Sequence, residues 1–166
     1  VTKKPAEDEG PKATNLIKND RATLGTSDTQ MEFLLRPNYE WRNLNPFYVL
    51  QLPHTASEDD ISRRYKALSL LLHPDKNGGS DRAQLAYDQV QKAKTTLSDP
   101  DRAKHMRQLV EEGRKQGELH WNKSKRKGEL KDAQEKEVMR IFAMIEKKRK
   151  EVEERERKYE QRERQQ

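Results

Sequence analysis

Few side chains in this chain are equipped for chemistry. There are four histidines, His54, His73, His105 and His120, and no cysteine. Without thiols there is no disulfide and no thiolate metal site, which suits a reducing compartment. The histidines fall at none of the spacings that gather around zinc, so neither a metal nor a cofactor is expected. No nucleophile–base pair and no phosphate-binding glycine loop can be read, so no catalytic residue is assigned and the chain is not expected to be an enzyme. One group stands out, His73-Pro74-Asp75. Pro74 has no N–H and biases the residue before it away from the α region, so it stops a helix running into it. A polar turn, Asn77-Gly78-Gly79-Ser80, follows. A His and an Asp at such a turn are exposed, displayed by the helices on either side. That is a poor setting for buried chemistry and a good one for touching another protein.

The elements that present this tip are legible from apolar spacing. Ser57 caps a helix whose first turn carries Glu58, Asp59 and Asp60, acids that suit the positive end of a helix dipole. Ile61, Tyr65, Leu68 and Leu72 then recur at i, i+4, i+7 and i+11 as one buried stripe. Arg63, Arg64 and Lys66 lie off that stripe and form a basic face leading to the tip. After the turn, Asp81 caps a second helix, buried through Ala83, Tyr87, Val90, Ala93 and Leu97. Together they make an antiparallel helical hairpin. Two short helices flank it. Asn45 caps the first and Pro46 starts it, Phe47 and Leu50 bury together, and Pro53 ends it. Pro100 starts the other, with Met106, Leu109 and Val110 as its apolar residues and Gly113 as its stop.

Around this unit the chain is polar. Of 166 residues 31% are hydrophobic and 39% charged, and the mean hydropathy is −1.31. Ordinary domains are about 45–50% apolar on a count that includes glycine. The expectation is therefore an all-α protein with a small folded unit and long solvated arms. Residues 1–30 read as an arm that is disordered or ordered by a partner. Residues 31–44 are an apolar anchor segment. Its Met31, Phe33, Leu34 and Leu35 either pack as a short helix on the domain that follows or dock on another protein. Residues 45–112 are the folded domain, and 113–129 a basic linker. Within the linker, Lys123, Lys125, Arg126 and Lys127 match a nuclear localisation signal or a phosphate contact.

Residues 130–166 read as one helix, amphipathic first and highly charged after Glu146. Val138, Ile141, Phe142 and Ile145 sit at i, i+3, i+4 and i+7 with no second element in sequence to cover them. The stripe is read as a docking face for a partner, with packing back on the folded unit as the alternative. Pairs such as Glu153 with Arg157 would support the charged part as a solvated helix. No run of about 18 apolar residues occurs, so no membrane contact is expected. Val1 in place of an initiator Met implies a start further upstream. The net charge of +6 permits an acidic partner, but the 35 basic residues are interleaved with 29 acidic ones. With no aromatic stacking platform beside them, they support direct RNA contact only weakly.

Tyr65-Lys66-Ala67-Leu68, then His73-Pro74-Asp75-Lys76-Asn77, then Leu97-Ser98-Asp99-Pro100 resemble a J domain, the Hsp70-binding module of DnaJ (Hsp40) co-chaperones, over about Asn45 to Val110. Leu35-Arg36-Pro37 and the run from Asn43 to Leu52 are similar, more narrowly, to nuclear J proteins associated with pre-mRNA splicing. So are the lysine-rich linker and the stretch around Arg140-Ile141-Phe142. Three positions depart from commoner J domains: Leu72 stands where an aromatic residue usually precedes the His, Gln51 where Gly is usual, and Lys94 where Tyr is usual. No Gly/Phe-rich region or Cys-rich zinc module accompanies the domain, against a general DnaJ chaperone.

The resemblance implies that His73, Pro74 and Asp75 touch Hsp70, with Asp75 accepting from an Hsp70 arginine, and that Arg63, Arg64, Lys66 and Lys76 meet an acidic Hsp70 face. It implies faster ATP hydrolysis by Hsp70, residence in the nucleus, and spliceosomal proteins as partners. Two alternatives stand beside it: a structural component of a spliceosomal complex with an idle J domain, and a ribosome-associated J protein.

Overall fold

A computed structural model describes residues 23–165, which form α-helices joined by short turns, with no strand among them. The arm read as disordered lies outside the described residues as far as residue 22. From there the expectation fails. Helix α1 (Ser27–Leu34) is capped by the Thr26 side chain and buries Gln30, Met31 and Leu34. Leu24, just before it, is also in the core. A buried amide pair makes this possible. Gln30 Nε2 donates to the Leu24 carbonyl at 2.6 Å, and Gln51 Nε2 donates to Gln30 Oε1 at 2.6 Å. The polar side chain is thus satisfied in the interior, where an unpaired one would cost about 1–3 kcal/mol. The anchor segment accordingly packs on its own domain. Met31 and Leu34, offered as docking residues, are core residues, and Phe33 and Leu35 lean against the same core.

A short α2 (Tyr39–Arg42) leads into α3 (Pro46–Leu50), where Asn45 accepts from the Phe47 N–H at 3.1 Å and Pro46 takes the first turn. Its stop is not Pro53. The helix ends earlier, at Gln51, whose φ of 56° and ψ of 43° are left-handed. A side chain there costs about 1–2 kcal/mol relative to glycine, and the Gln30 amide pair offsets it.

Helix α4 (Glu58–Leu72) opens on a reciprocal cap. Ser57 Oγ accepts from the Asp60 N–H at 3.1 Å, while Asp60 Oδ2 accepts from the Ser57 N–H at 3.0 Å. Ile61, Leu68 and Leu72 are buried as the stripe requires, and Tyr65 packs partly against the core. Helix α5 (Asp81–Ser98) is capped by Ser80 rather than Asp81, which becomes a first-turn acid. Its buried face is Ala83, Ala86, Val90, Ala93 and Leu97.

The largest departure follows α5. Helix α6 (Pro100–Lys123) does not stop at Gly113 but runs through most of the expected linker. Helix α7 (Leu130–Arg164) folds back along it. Gly113 and Gly117, one turn apart, mark the crossing. A Cβ on Gly113 would lie 2.6 Å from Val138 Cα, and one on Gly117 would lie 2.6 Å from the Ala133 carbonyl oxygen. Glycine here makes room for the neighbouring backbone instead of ending a helix. The extended α6 supplies the covering element that the sequence lacked. Val138, Ile141 and Phe142 are buried, each worth on the order of 1.5–3 kcal/mol when fully removed from water. Only Ile145 of that stripe stays substantially exposed. The docking face expected there is an intramolecular interface.

An exposed helical glycine gains about 1 kcal/mol on change to alanine. At this crossing the sign reverses, because overpacking costs about 1–3 kcal/mol. Gly113→Ala and Gly117→Ala should each lower the unfolding midpoint in a thermal melt, while Gln116→Ala on the exposed side should not. Melts unchanged or raised by the glycine variants would refute the close crossing.

Candidate functional site

His73 terminates α4 with φ −55° and ψ 130°, as the residue before a proline prefers, and Pro74 opens a 3-10 turn (Pro74–Asn77). The turn closes on itself. The Lys76 N–H donates to the His73 carbonyl at 3.0 Å, and the Gly79 N–H to the Pro74 carbonyl at 2.9 Å. Gly78 and Gly79 both have positive φ, with open space where a Cβ would sit, so conformation rather than crowding selects glycine there.

Asn77 is the clamp. Its Nδ2 donates to the Leu71 carbonyl at 3.1 Å and to the His73 carbonyl at 2.9 Å. Those carbonyls, at the end of α4, have no partner further along the helix.

His73 Nδ1 accepts from the Asp75 N–H at 3.2 Å. An accepting Nδ1 carries no proton, so the neutral ring presents Nε2–H as its donor. The ring stands edge-on to Tyr87 of α5, with centroids 5.9 Å apart. The Asp75 carboxylate lies 3.7 Å from Nδ1, and its side chain is 92% exposed against 44% for His73. The tip therefore offers a backed imidazole and a fully hydrated carboxylate aimed outward. Among the described residues no cluster of three His, Asp or Glu side chains is arranged to hold a metal ion.

The basic residues do not all join the tip. Arg63 and Lys66 on α4 and Lys76 in the turn are exposed. Arg64 is 3% exposed. It sits three residues after Ile61 and four before Leu68, on the core face of α4, and so is removed from the surface set. Lys123, Lys125, Arg126 and Lys127 are exposed at the turn between α6 and α7. There Trp121 Nε1 donates to the Gly128 carbonyl at 3.1 Å, and the Arg126 guanidinium lies 5.4 Å from the Trp121 ring centre. Asn77 and Tyr87 were not singled out as part of the tip. An asparagine after a proline-stopped helix was the signal for the first.

Residues 45–106 match the DnaJ domain. Those residues are therefore a J domain. It is similar to DnaJ homolog subfamily C member 8 of Homo sapiens and of Mus musculus, in each case 37% identical over 150 residues, covering 80% of this chain and 59% of the relative. DnaJ protein ERDJ3B of Arabidopsis thaliana is 40% identical over 68 residues, covering 41% of this chain and 20% of that protein. Similarity over 80% of the chain reaches far beyond residues 45–106, whereas similarity over 41% scarcely exceeds them. No solved structure matches.

Removing the clamp tests the geometry of the tip. Asn77→Ala deletes two bonds to the end of α4 and should cost about 1–2 kcal/mol, since each net hydrogen bond contributes about 0.5–1.5 kcal/mol. Urea unfolding measures it; a variant as stable as the parent would mean that the bonds do not hold in solution.

Proposed function

We propose that the chain is an Hsp70 co-chaperone whose J domain accelerates ATP hydrolysis by Hsp70, and that it is recruited to the pre-mRNA splicing machinery in the nucleus. The observation that carries the Hsp70 role is the tip within the DnaJ match, where the His73-Pro74-Asp75 turn leaves the Asp75 carboxylate 92% exposed. Asp75 accepts a charge-assisted bond from an Hsp70 arginine, whose fork-shaped guanidinium suits a carboxylate better than a lysine would. Arg63, Lys66 and Lys76 steer the encounter with an acidic Hsp70 face, an effect that weakens with salt. The J protein contributes no reacting group; it shifts Hsp70 toward its hydrolysis-competent state.

Recruitment to splicing rests on similarity that extends past residues 45–106 into both flanks. The exposed Lys123, Lys125, Arg126 and Lys127 support nuclear import. The reading as a structural component with an idle J domain drew on the Met31–Leu35 and Val138–Ile145 docking faces, and it loses that footing because most of those side chains are buried in the chain's own core.

His73→Gln and Asp75→Asn should each abolish stimulation in a single-turnover Hsp70 ATPase assay while leaving the helical circular-dichroism signal unchanged. Full stimulation by either folded variant would sink the role of the tip. Glutamine at all four basic positions of the α6–α7 turn should move a fluorescent fusion out of the nucleus, and unchanged imaging would remove that signal from consideration.

A further inference from the structure

A second feature lies away from the His73-Pro74-Asp75 tip. A groove of about 720 Å³ opens between α1–α3 on one side and α6–α7 on the other. That is within the range of about 300–1,000 Å³ typical of ligand sites. Its floor is apolar, with Phe47, Val138, Met139 and Phe142 among its side chains. Its rim carries Arg36, Arg42, Arg114, Lys131 and Lys136 against Asp132 and Glu135. Five cations and two anions leave an excess of three positive charges.

The polar groups of this groove are unfinished. Arg36 Nε, Arg42 Nε and Tyr48 Oη are each buried without a hydrogen-bond partner. Buried polar groups are normally paired, and an orphan calls for a reason. The Arg36 guanidinium is held over two rings, 4.5 Å from the Phe33 centre and 5.2 Å from that of Tyr48. Burial lowers its pKa first and the nearby Arg42 charge adds to this, while Glu135 opposes them in part. Two like charges share a partly desolvated site with donors unspent, and a carboxylate would answer both conditions.

We propose that this groove binds an acidic peptide segment of a partner protein, an Asp or Glu carboxylate meeting Arg36 and Arg42 and an adjoining large apolar side chain lying on the Met139 and Phe142 floor. Charge complementarity selects this occupant. A strand of phosphates would meet Asp132 and Glu135 on the rim. The one exposed ring at the rim, Trp41, already has the Lys150 amine 5.4 Å from its centre and is not free for base stacking. A second copy of a chain with net charge +6 brings no complementary field.

The groove lies by the loop before α4, and the tip follows the end of α4. Fifteen helical residues separate them by about 22 Å. The groove thus stands apart from the proposed Hsp70 contact and is testable without it.

A randomised decapeptide display library selected on the full chain provides the test. Enriched peptides should carry Asp or Glu beside Leu, Phe, Tyr or Trp. Their binding should fall at least tenfold on Arg42→Gln, and on conversion of the peptide's acids to amides. Met139→Glu, on an exposed floor residue, is a second variant that adds a repelling carboxylate and should weaken binding equally. Both variants should stimulate Hsp70 ATP hydrolysis as the parent does. If the parent itself gives no stimulation, the Hsp70 role fails while the peptide result stands. Selection of no common sequence, binding that survives both variants, or tighter binding of phosphoserine peptides or of oligouridylate overturns the proposal.

Discussion

Five elements pack against one helix with a face of small residues. Helix α5 meets α1, α3, α4, α6 and the 3-10 turn. Its inward positions Ala83, Ala86, Val90 and Ala93 are no more than 4% exposed. Helix axes ordinarily lie about 8–10 Å apart according to the side chains between them. Single-carbon side chains let several elements close on the same helix. The bulk comes from the other side, where Leu34, Leu50, Leu68 and Leu72 are wholly buried and Phe47 nearly so. Large against small fills the space with few voids, as dense interiors require. The same helix supplies Tyr87 behind His73. The register of α5 therefore sets both the core and the backing of the tip.

At the tip, exposure and order coexist because the order comes from the backbone. Pro74 restricts its own φ, the 3-10 turn closes through main-chain bonds, and Asn77 binds the tip to the end of α4. Asp75 itself is held by no strong side-chain partner; its carboxylate lies 3.7 Å from the His73 ring nitrogen. Its position is fixed while its carboxylate remains hydrated and available. Preorganisation of this kind lowers the entropy lost on association, which favours a contact that must form and release repeatedly.

Period and capping chemistry made the J-domain core legible from sequence. The stripe Ile61, Tyr65, Leu68, Leu72, the cap Ser57, the Asn45–Pro46 start and the Pro100 start all stand where spacing put them. The tip was legible for a different reason, since a proline after a helix leaves few conformations to its neighbours. What escaped depended on long-range contact. Gln51 takes a left-handed conformation because Gln30, twenty-one residues earlier, satisfies its amide. Arg64 shares the core face of α4, but its charge assigned it to the surface. Gly113 carries the same local signal whether it ends a helix or admits a neighbour's backbone, and only the position of Val138 decides between them. The expected Glu153–Arg157 pair shows the same limit on a smaller scale: Glu153 pairs with Arg149 instead.

The α6–α7 crossing has consequences far beyond the residues that touch. A helix without tertiary support is marginal below about 12–15 residues, because its first turn is costly to nucleate while later residues add one bond each. From Glu151 to Arg164 every residue of α7 is exposed. This stretch borrows no stability from a core. It needs no nucleus of its own, because Leu130 to Phe142 is already ordered against α6. Propagation then needs only modest help, which ion pairs one turn apart, such as Lys158 with Glu154 at 2.7 Å, provide. Lys150, stacked on Trp41, is the last contact of the helix with the body that the ring geometry records. The order of the outer helix is therefore inherited from the packed half. A side chain at Gly113 or Gly117 would act on it from several turns away, by separating the two backbones on which its nucleus rests.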